Sequence, residues 1–255
     1  MNNNMNYLKN LHPDTRDNDI YLEESTHTYY INGKTGYTSV TTYVNSLFEK
    51  FDADKIIDNM MSSYNWSNNK YYGKTKSEIK ELWENNKNSA ANAGSTLHLD
   101  IEKFYNNVHV NNSSVEYQYF LRFVDVYKHL IPYRTEKIIY SEKYKLAGSI
   151  DMIFINDKEH SLEIYDWKRV KQIAKSSRWD KWCLDDDINY LPDTNYWHYA
   201  LQVNIYKYIY NEEYNGCIGN LYLVSLHPEN KSFLRIPVVD LQDEVKILLS
   251  KRRGV

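Results

Sequence analysis

The chain has 255 residues, 42% of them hydrophobic, enough for one globular domain with additions. An aromatic share of 15% excludes a disordered chain, because it leaves too much apolar surface to bury. A net charge of −3 excludes a global basic field, so any nucleic-acid contact must use a local patch.

Cys183 and Cys217 are the only cysteines, too few for an iron–sulfur cluster, a four-ligand zinc site or a disulfide scaffold. A reducing compartment is therefore expected. The start, Met1-Asn2-Asn3-Asn4-Met5, lacks the basic and apolar regions of a signal peptide. No apolar run approaches the ~20 residues that span a bilayer. The expectation is an intracellular protein without membrane contact, cytoplasmic or in a host-cell compartment if viral.

Residues 1–18 are polar and read as a loose tail. Ile20-Tyr21-Leu22 and Thr28-Tyr29-Tyr30-Ile31 read as short strands, followed by an Asn32-Gly33 turn. A helix is predicted from Ser39, with Val40, Val44, Leu47 and Phe48 at helical spacing. A second, capped by Asp52 or Asp54, carries Ile56, Ile57 and Met60. Residues 62–76 read as a polar surface loop. Helical character returns over 77–108, with Gly94 expected to break it and the important helix running from Ser95 to Asn106.

An amphipathic helix is predicted over 115–130, with Phe120, Phe123, Val124, Tyr127 and Leu130 inward. Strands follow at 136–140, 147–155 and 162–169, then a long polar connection over 170–195. Connections of that length in compact domains are usually functional. A helix at 196–211, strands at 217–226 and 232–238, and a short helix near 241–252 complete the pattern. This order makes an α/β domain with a mixed sheet. The expected division is a tail over 1–18, N-terminal strands and helices packed on the core over 19–90, and the core over 91–255.

The informative stretch runs from Gly148-Ser149-Ile150-Asp151 to Asp166-Trp167-Lys168. Its two strands flank a short polar segment and read as an antiparallel hairpin. With the turn centred between Lys158 and Glu159, Asp151 faces Asp166 directly. Strand alternation puts Asp166 and Lys168 on one face with Leu162 and Ile164. Two opposed carboxylates repel, the more so when buried, unless a cation balances them. A divalent metal resolves that conflict, and hard oxygen ligands suit Mg²⁺ or Mn²⁺. The bland reading is a pair of exposed aspartates on edge strands. Their position inside apolar β runs, where Asp is disfavoured, argues against it.

An Asp after Gly-x-x, a hairpin, then acid-x-Lys resembles the PD-(D/E)xK nuclease superfamily. Three further matches, in the family's order, resemble its RecB-like branch: Gly94-Ser95-Thr96-Leu97-His98 with Glu102, the upstream Glu136, and Gln202 with Tyr206. Thr38-Ser39-Val40-Thr41 before a helix is similar to the mitochondrial genome maintenance exonuclease and viral or phage members. The resemblance covers about residues 20–250. Asp166 stands where many members have Glu, which the family tolerates. The iron–sulfur cysteines of some relatives are absent.

The resemblance implies a restriction-endonuclease-like core, a central mixed sheet flanked by helices. It implies a Mg²⁺-dependent deoxyribonuclease, with Mn²⁺ substituting and no iron–sulfur cluster, acting on single-stranded or end-containing DNA. Exonuclease action in repair, recombination or genome processing is favoured. A structure-specific endonuclease and a catalytically inactive nucleic-acid-binding module are the alternatives. Asp151, Asp166, His98 and the Trp167 carbonyl would hold the metal, and Lys168 would orient the attacking water or stabilise charge on the phosphorane. Glu136 would support this metal or a second one, with Glu142 as a rival acid in a polar turn. Ser149 stands beside the site. Glu102, four residues from His98, would brace it or approach the metal, or is a surface acid. Gln202 and Tyr206 would contact DNA or buttress the site, or form an ordinary amphipathic helix face. Lys168, Arg169, Lys171, Lys175, Arg178 and Lys181, interleaved with Trp167, Trp179 and Trp182, would grip single strands or form a solvated loop.

Overall fold

A computed structural model describes residues 3–177 and 180–252. The chain divides into two units, residues 1–49 with 97–255, and residues 50–96. In chain order the first half contains α1 (Tyr7–Leu11), β1 (Ile20–Glu23), β2 (Thr28–Ile31), β3 (Thr38–Ser39) and α2 (Val40–Ser46). Then come α3 (Ala53–Met61), α4 (Lys76–Tyr105) and α5 (Val115–Val126). The second half contains β4 (Ile131–Ser141), β5 (Leu146–Asn156), β6 (Ser161–Lys168), α6 (Asn195–Glu213), β7 (Ile218–Ser225), β8 (Leu234–Pro237) and α7 (Gln242–Ser250). None of the described helices is long and apolar enough to cross a membrane.

The larger unit is built on a mixed six-stranded sheet. Strands β4, β5 and β6 form an antiparallel meander, and β7 runs parallel to β6 after the α6 crossover. Strand β8 closes that edge antiparallel. Strand β4 pairs along β5 from Leu146 to Ile155, so β3 and β6 share the opposite edge of β5. They take different parts of it: β3 pairs with Leu146 and Ala147, and β6 pairs with Met152 to Asn156. Among the described residues, Gly148 to Asp151 therefore have no strand beside them on that edge.

The faces of the sheet carry separate cores. On one, Val40, Val44, Leu201, Ile205, Val245 and Leu248 of α2, α6 and α7 meet Ile153, Ile164 and Leu223. On the other, Leu97 and Ile101 of α4 and Phe120 and Phe123 of α5 meet Met152, Phe154, Tyr165 and Trp167. Ile150 belongs to the first core and Met152 to the second, so the two-residue alternation of β5 slips at Asp151. Ser39 caps α2, its Oγ accepting the Thr42 N–H at 3.0 Å.

Three sequence expectations need correction. The stretch over 1–18 is not a loose tail: where described it forms helical turns with Leu8 buried and Asp14 and Asp17 ion-paired to Lys137. Its polar residues have buried partners more than a hundred positions away, which composition does not reveal. Gly94 does not break α4, which runs 30 residues without interruption. A glycine costs a helix roughly 1 kcal/mol, and each flanking residue that propagates it adds a hydrogen bond. Finally, β1 to β3 and α2 belong to the larger unit, and the unit boundaries fall after residues 49 and 96 rather than at 90.

The smaller unit contains α3, the loop after it and most of α4. Asp52 caps α3 through the Lys55 N–H, and Ile57 and Ile79 are fully buried. Asp54 and Asp58 of α3 pair with Lys76, and Asp54 also with Lys80.

Candidate active site

The sheet opens where the acids lie. The hairpin pairs Met152 with Tyr165 and Ile153 with Ile164, the register expected from a turn between Lys158 and Glu159. One step further, at Asp151 and Asp166, β5 and β6 separate, while β6 stays paired with β7 through Lys168. The separation frees the backbone of Trp167 from β5. Its N–H donates to Asp151 Oδ2 at 2.8 Å, and its carbonyl lies 2.9 Å from His98 Nε2. Buried backbone groups must be paired, and here side chains replace the missing strand.

Glu136 completes a row of acids. Pairing of Thr135 with Met152 and of Lys137 with Ile150 sets Glu136 beside Asp151 on the other neighbouring strand. The three acids thus occupy adjacent positions on β4, β5 and β6. Glu136 has φ +42°, a left-handed conformation that a non-glycine residue adopts at a cost. Its flanks are held firmly. Thr135 Oγ1 accepts from Asn106 Nδ2, while Arg134 and Lys137 are buried against Asp14, Asp17 and the His12 carbonyl. Ser149 Oγ donates to Glu136 Oε2 at 3.0 Å.

His98 Nδ1 lies 3.6 Å from both Glu136 Oε1 and Asp151 Oδ2. His98, Glu136 and Asp151 form a group with ligand atoms within 4.8 Å of one another. Asp166, expected as a ligand, is instead turned to Lys168, with Oδ1 accepting from Nζ at 3.0 Å. Its Oδ2 lies 2.8 Å from the same nitrogen but has no aligned hydrogen bond, although buried. Lys168 Nζ also sits 4.6 Å above the Tyr199 ring.

Burial sets the electrostatics. It raises the Asp151 carboxyl, with Glu136 adding to the rise and His98 and Lys168 opposing it. It lifts Asp166 to about 6 despite Lys168. Burial would lower His98, but the Asp151 and Glu136 carboxylates outweigh it and hold the imidazole at about 9. Burial likewise opposes the Lys168 charge, and Asp166 and Asp151 still keep its pKa raised. With three carboxylates ionised against His98 and Lys168 charged, the group is left one negative charge in excess, or two when His98 is neutral.

A hard divalent cation fits this donor set. One imidazole and carboxylates suit Mg²⁺ or Mn²⁺. His98 Nε2 is engaged by the Trp167 carbonyl at 2.9 Å, which leaves Nδ1, beside Glu136 and Asp151, as the nitrogen that could ligate a cation.

The other expected residues divide clearly. Glu102 is pushed up to about 7 by burial and by Glu136, so it neighbours the group without joining it. Glu142 lies exposed in the β4–β5 turn near Asn32, away from the acids. Tyr206 is 3% exposed and does not reach DNA. Its ring packs on Gly148, and Gln202 Nε2 donates to its hydroxyl at 3.2 Å, so the pair buttresses β5.

The basic stretch is largely neutralised within the fold. Lys168 pairs with Asp166, Arg169 with Glu116, Lys171 with Glu229 and Lys181 with Glu49. Lys175 lies over the Tyr196 ring. Trp167 is 1% exposed and cannot stack on a base, and Trp182 donates to Asp180. Arg178 and Trp179 lie outside the described residues.

Sequence reasoning missed Tyr199, although it shares a helical face with Gln202 and Tyr206 and that spacing is legible. It also missed the Arg134–Lys137–Asp14–Asp17 cluster, for which no local pattern exists.

No family model matches this sequence, and no match is found among curated proteins. Among solved structures, that titled "Crystal structure of SSO0001" is similar at a TM-score of 0.33 and 16% identity, covering 84% of this chain and 73% of that chain. A likeness at that level carries no argument about the site, whose reading rests on its own geometry.

Proposed function

We propose that the chain is a metal-dependent nuclease that hydrolyses phosphodiester bonds in DNA, with exonuclease action favoured. The observation that carries this reading is the row Glu136–Asp151–Asp166 at the opening of the sheet, with His98 and Lys168 against it. His98 through Nδ1, Glu136 and Asp151 are the residues that would hold a divalent cation, with Asp166 beside them on Lys168. Such a cation, when bound, supplies charge for the scissile phosphate and a water of lowered pKa.

The rest is done by the chain. Lys168 stays protonated because Asp166 and Asp151 flank it, so it offers a fixed positive charge where the phosphorane gathers negative charge. The Asp166 carboxylate and the Tyr199 ring hold that ammonium in place. Asp151 ties the Trp167 amide, which keeps the Trp167 carbonyl directed at His98. Tyr206 and Gln202 brace β5 behind it. Water attacks phosphorus and gives up one proton to solvent, the bond to the leaving sugar oxygen breaks, and that oxygen takes up a proton from solvent.

The test is cleavage of end-labelled linear and circular single-stranded DNA with Mg²⁺, Mn²⁺ or EDTA. Lys168→Ala should lower the rate by about 10²–10³ or more, as loss of one transition-state charge does. Metal-dependent loss of the linear strand alone is the expected result. Loss of the circle as well would make the protein an endonuclease. No cleavage of either, or full activity in Lys168→Ala, would refute the assignment.

A further inference from the structure

The loop after α3 is built differently from the basic stretch that follows β6. From Asn59 to Ser77 there is no acidic residue, while Lys70, Lys74, Lys76, Tyr64, Trp66, Tyr71 and Tyr72 fall within it. In a chain of net charge −3, an acid-free run of nineteen residues (59 to 77) is a local cationic surface. Lys76 is engaged by Asp54 and Asp58 of α3. Lys70 and Lys74 are exposed and stand in no ion pair among the described residues. The Lys70 ammonium lies 4.8 Å above the Tyr71 ring.

The aromatics are placed for contact. Tyr64 is 98% and Tyr72 61% exposed, far beyond what packing requires. Trp66 meets Tyr72 edge-on at 6.0 Å, and Tyr71 meets Trp83 of α4 at 6.1 Å, with Trp83 Nε1 donating to the Tyr71 hydroxyl at 2.9 Å. Asparagine side chains close its turns, Asn69 Oδ1 accepting from Tyr71 N–H and Asn65 Oδ1 from Asn68 Nδ2. Gly73, at φ +83°, supplies the left-handed turn before Lys74.

We propose that this loop is a binding surface for single-stranded nucleic acid, with Tyr64 and Tyr72 stacking on bases and Lys70 and Lys74 neutralising phosphates. Exposed rings offer their faces to a base without breaking a core contact, and Lys70 and Lys74, the latter with only the longer-range field of Glu78 on it, give up no ion pair to bind phosphate. The proposal takes only its ligand class from the nuclease reading. A protein partner would be expected to bury a contiguous apolar patch, whereas these rings alternate with asparagine, serine and lysine.

The test measures binding of fluorescent oligo-dT to the full chain by anisotropy, in EDTA, across salt concentrations. Tyr64→Ala with Tyr72→Ala should weaken binding tenfold or more, since stacking contributes about 1–3 kcal/mol per base and 1.4 kcal/mol is tenfold. Tyr64→Ala alone, which breaks no ring contact among the described residues, should weaken binding with thermal unfolding unchanged, and Tyr64→Trp with Tyr72→Phe should restore affinity. Lys70→Ala with Lys74→Ala should reduce the slope of log affinity against log salt by about 1.4, while the tyrosine variants leave it unchanged. Wild-type affinity in the tyrosine variant would overturn the proposal, as would sedimentation showing that these rings join two copies of the chain. Ring-dependent binding without any cleavage would refute the nuclease reading and leave this surface standing. Cleavage with ring-independent binding would do the reverse.

Discussion

Gly148→Ala tests how the fold holds Asp151. A Cβ at this position would lie 2.6 Å from Cε1, 2.9 Å from the hydroxyl and 3.1 Å from Cζ of Tyr206. Carbon atoms pack best at about 3.5–4.0 Å, so ring and strand must part by about 1 Å. The ring is buried in the core beneath α6 and has nowhere to swing. Overpacking of this kind costs about 1–3 kcal/mol, and each kcal/mol lowers Tm by about 2–4 °C in a protein of this size. Gly148 stands three residues before Asp151, on the part of β5 that no strand supports on its β6 edge. The displacement should therefore pass into the site, and Mn²⁺ affinity should fall with stability. Urea unfolding of the wild type, Gly148→Ala, Tyr206→Leu and the double variant closes a cycle. The leucine removes the atoms that clash, so the alanine should cost less in that background, by a coupling of about 1–2 kcal/mol. Costs that simply add, to within about 0.3–0.5 kcal/mol, would show that Tyr206 does not constrain β5 and would refute the reasoning.

Two further predictions concern the charges. His98 is held at about 9 against 6.5 for a free imidazole, because the pull of Asp151 and Glu136 exceeds the cost of burial. Since the folded value is the higher one, its stabilisation is complete below pH 6.5 and is lost as pH rises through about 9. In EDTA, Tm should therefore fall more steeply over that window in the wild type than in His98→Gln, and parallel curves would contradict the assignment. Divalent binding needs the neutral imidazole, so Mn²⁺ affinity should rise over the same window in the wild type. Lys137→Met leaves Asp14 and Asp17 facing an apolar side chain where a buried ammonium stood. Asp17 keeps Arg134 and Asp14 is partly exposed, so the expected loss is about 1.5–3 kcal/mol by denaturant titration, accompanied by weaker Mn²⁺ binding as Glu136 relaxes. A loss below about 1 kcal/mol would mean that the cluster does not anchor β4.

Local chemistry determined much of this protein. Period-2 alternation and a polar turn fixed the hairpin register, because a one-residue slip would turn every side chain to the other face. Helical spacing marked α2, α5 and α6, and the capping residues Ser39 and Asp52 marked where two helices begin. Asp151, Asp166 and Lys168 were legible as a group from residue type and hairpin register, whereas His98 entered only through the family resemblance.

Tertiary structure alone decided the rest. Asp166 turns to Lys168 while Glu136 joins His98 and Asp151, a choice made by the separation of β5 from β6. Beside the left-handed Glu136, Lys137 finds Asp14 and Asp17, which are 123 and 120 positions away. The lysines and arginines after β6 look available in sequence, yet Glu116, Glu229 and Glu49 claim three of them. Periodicity and turns act between neighbours along the chain and leave a pattern there. An ion pair between distant residues leaves none, because either partner alone is indistinguishable from a solvated charge until the fold brings the other to it.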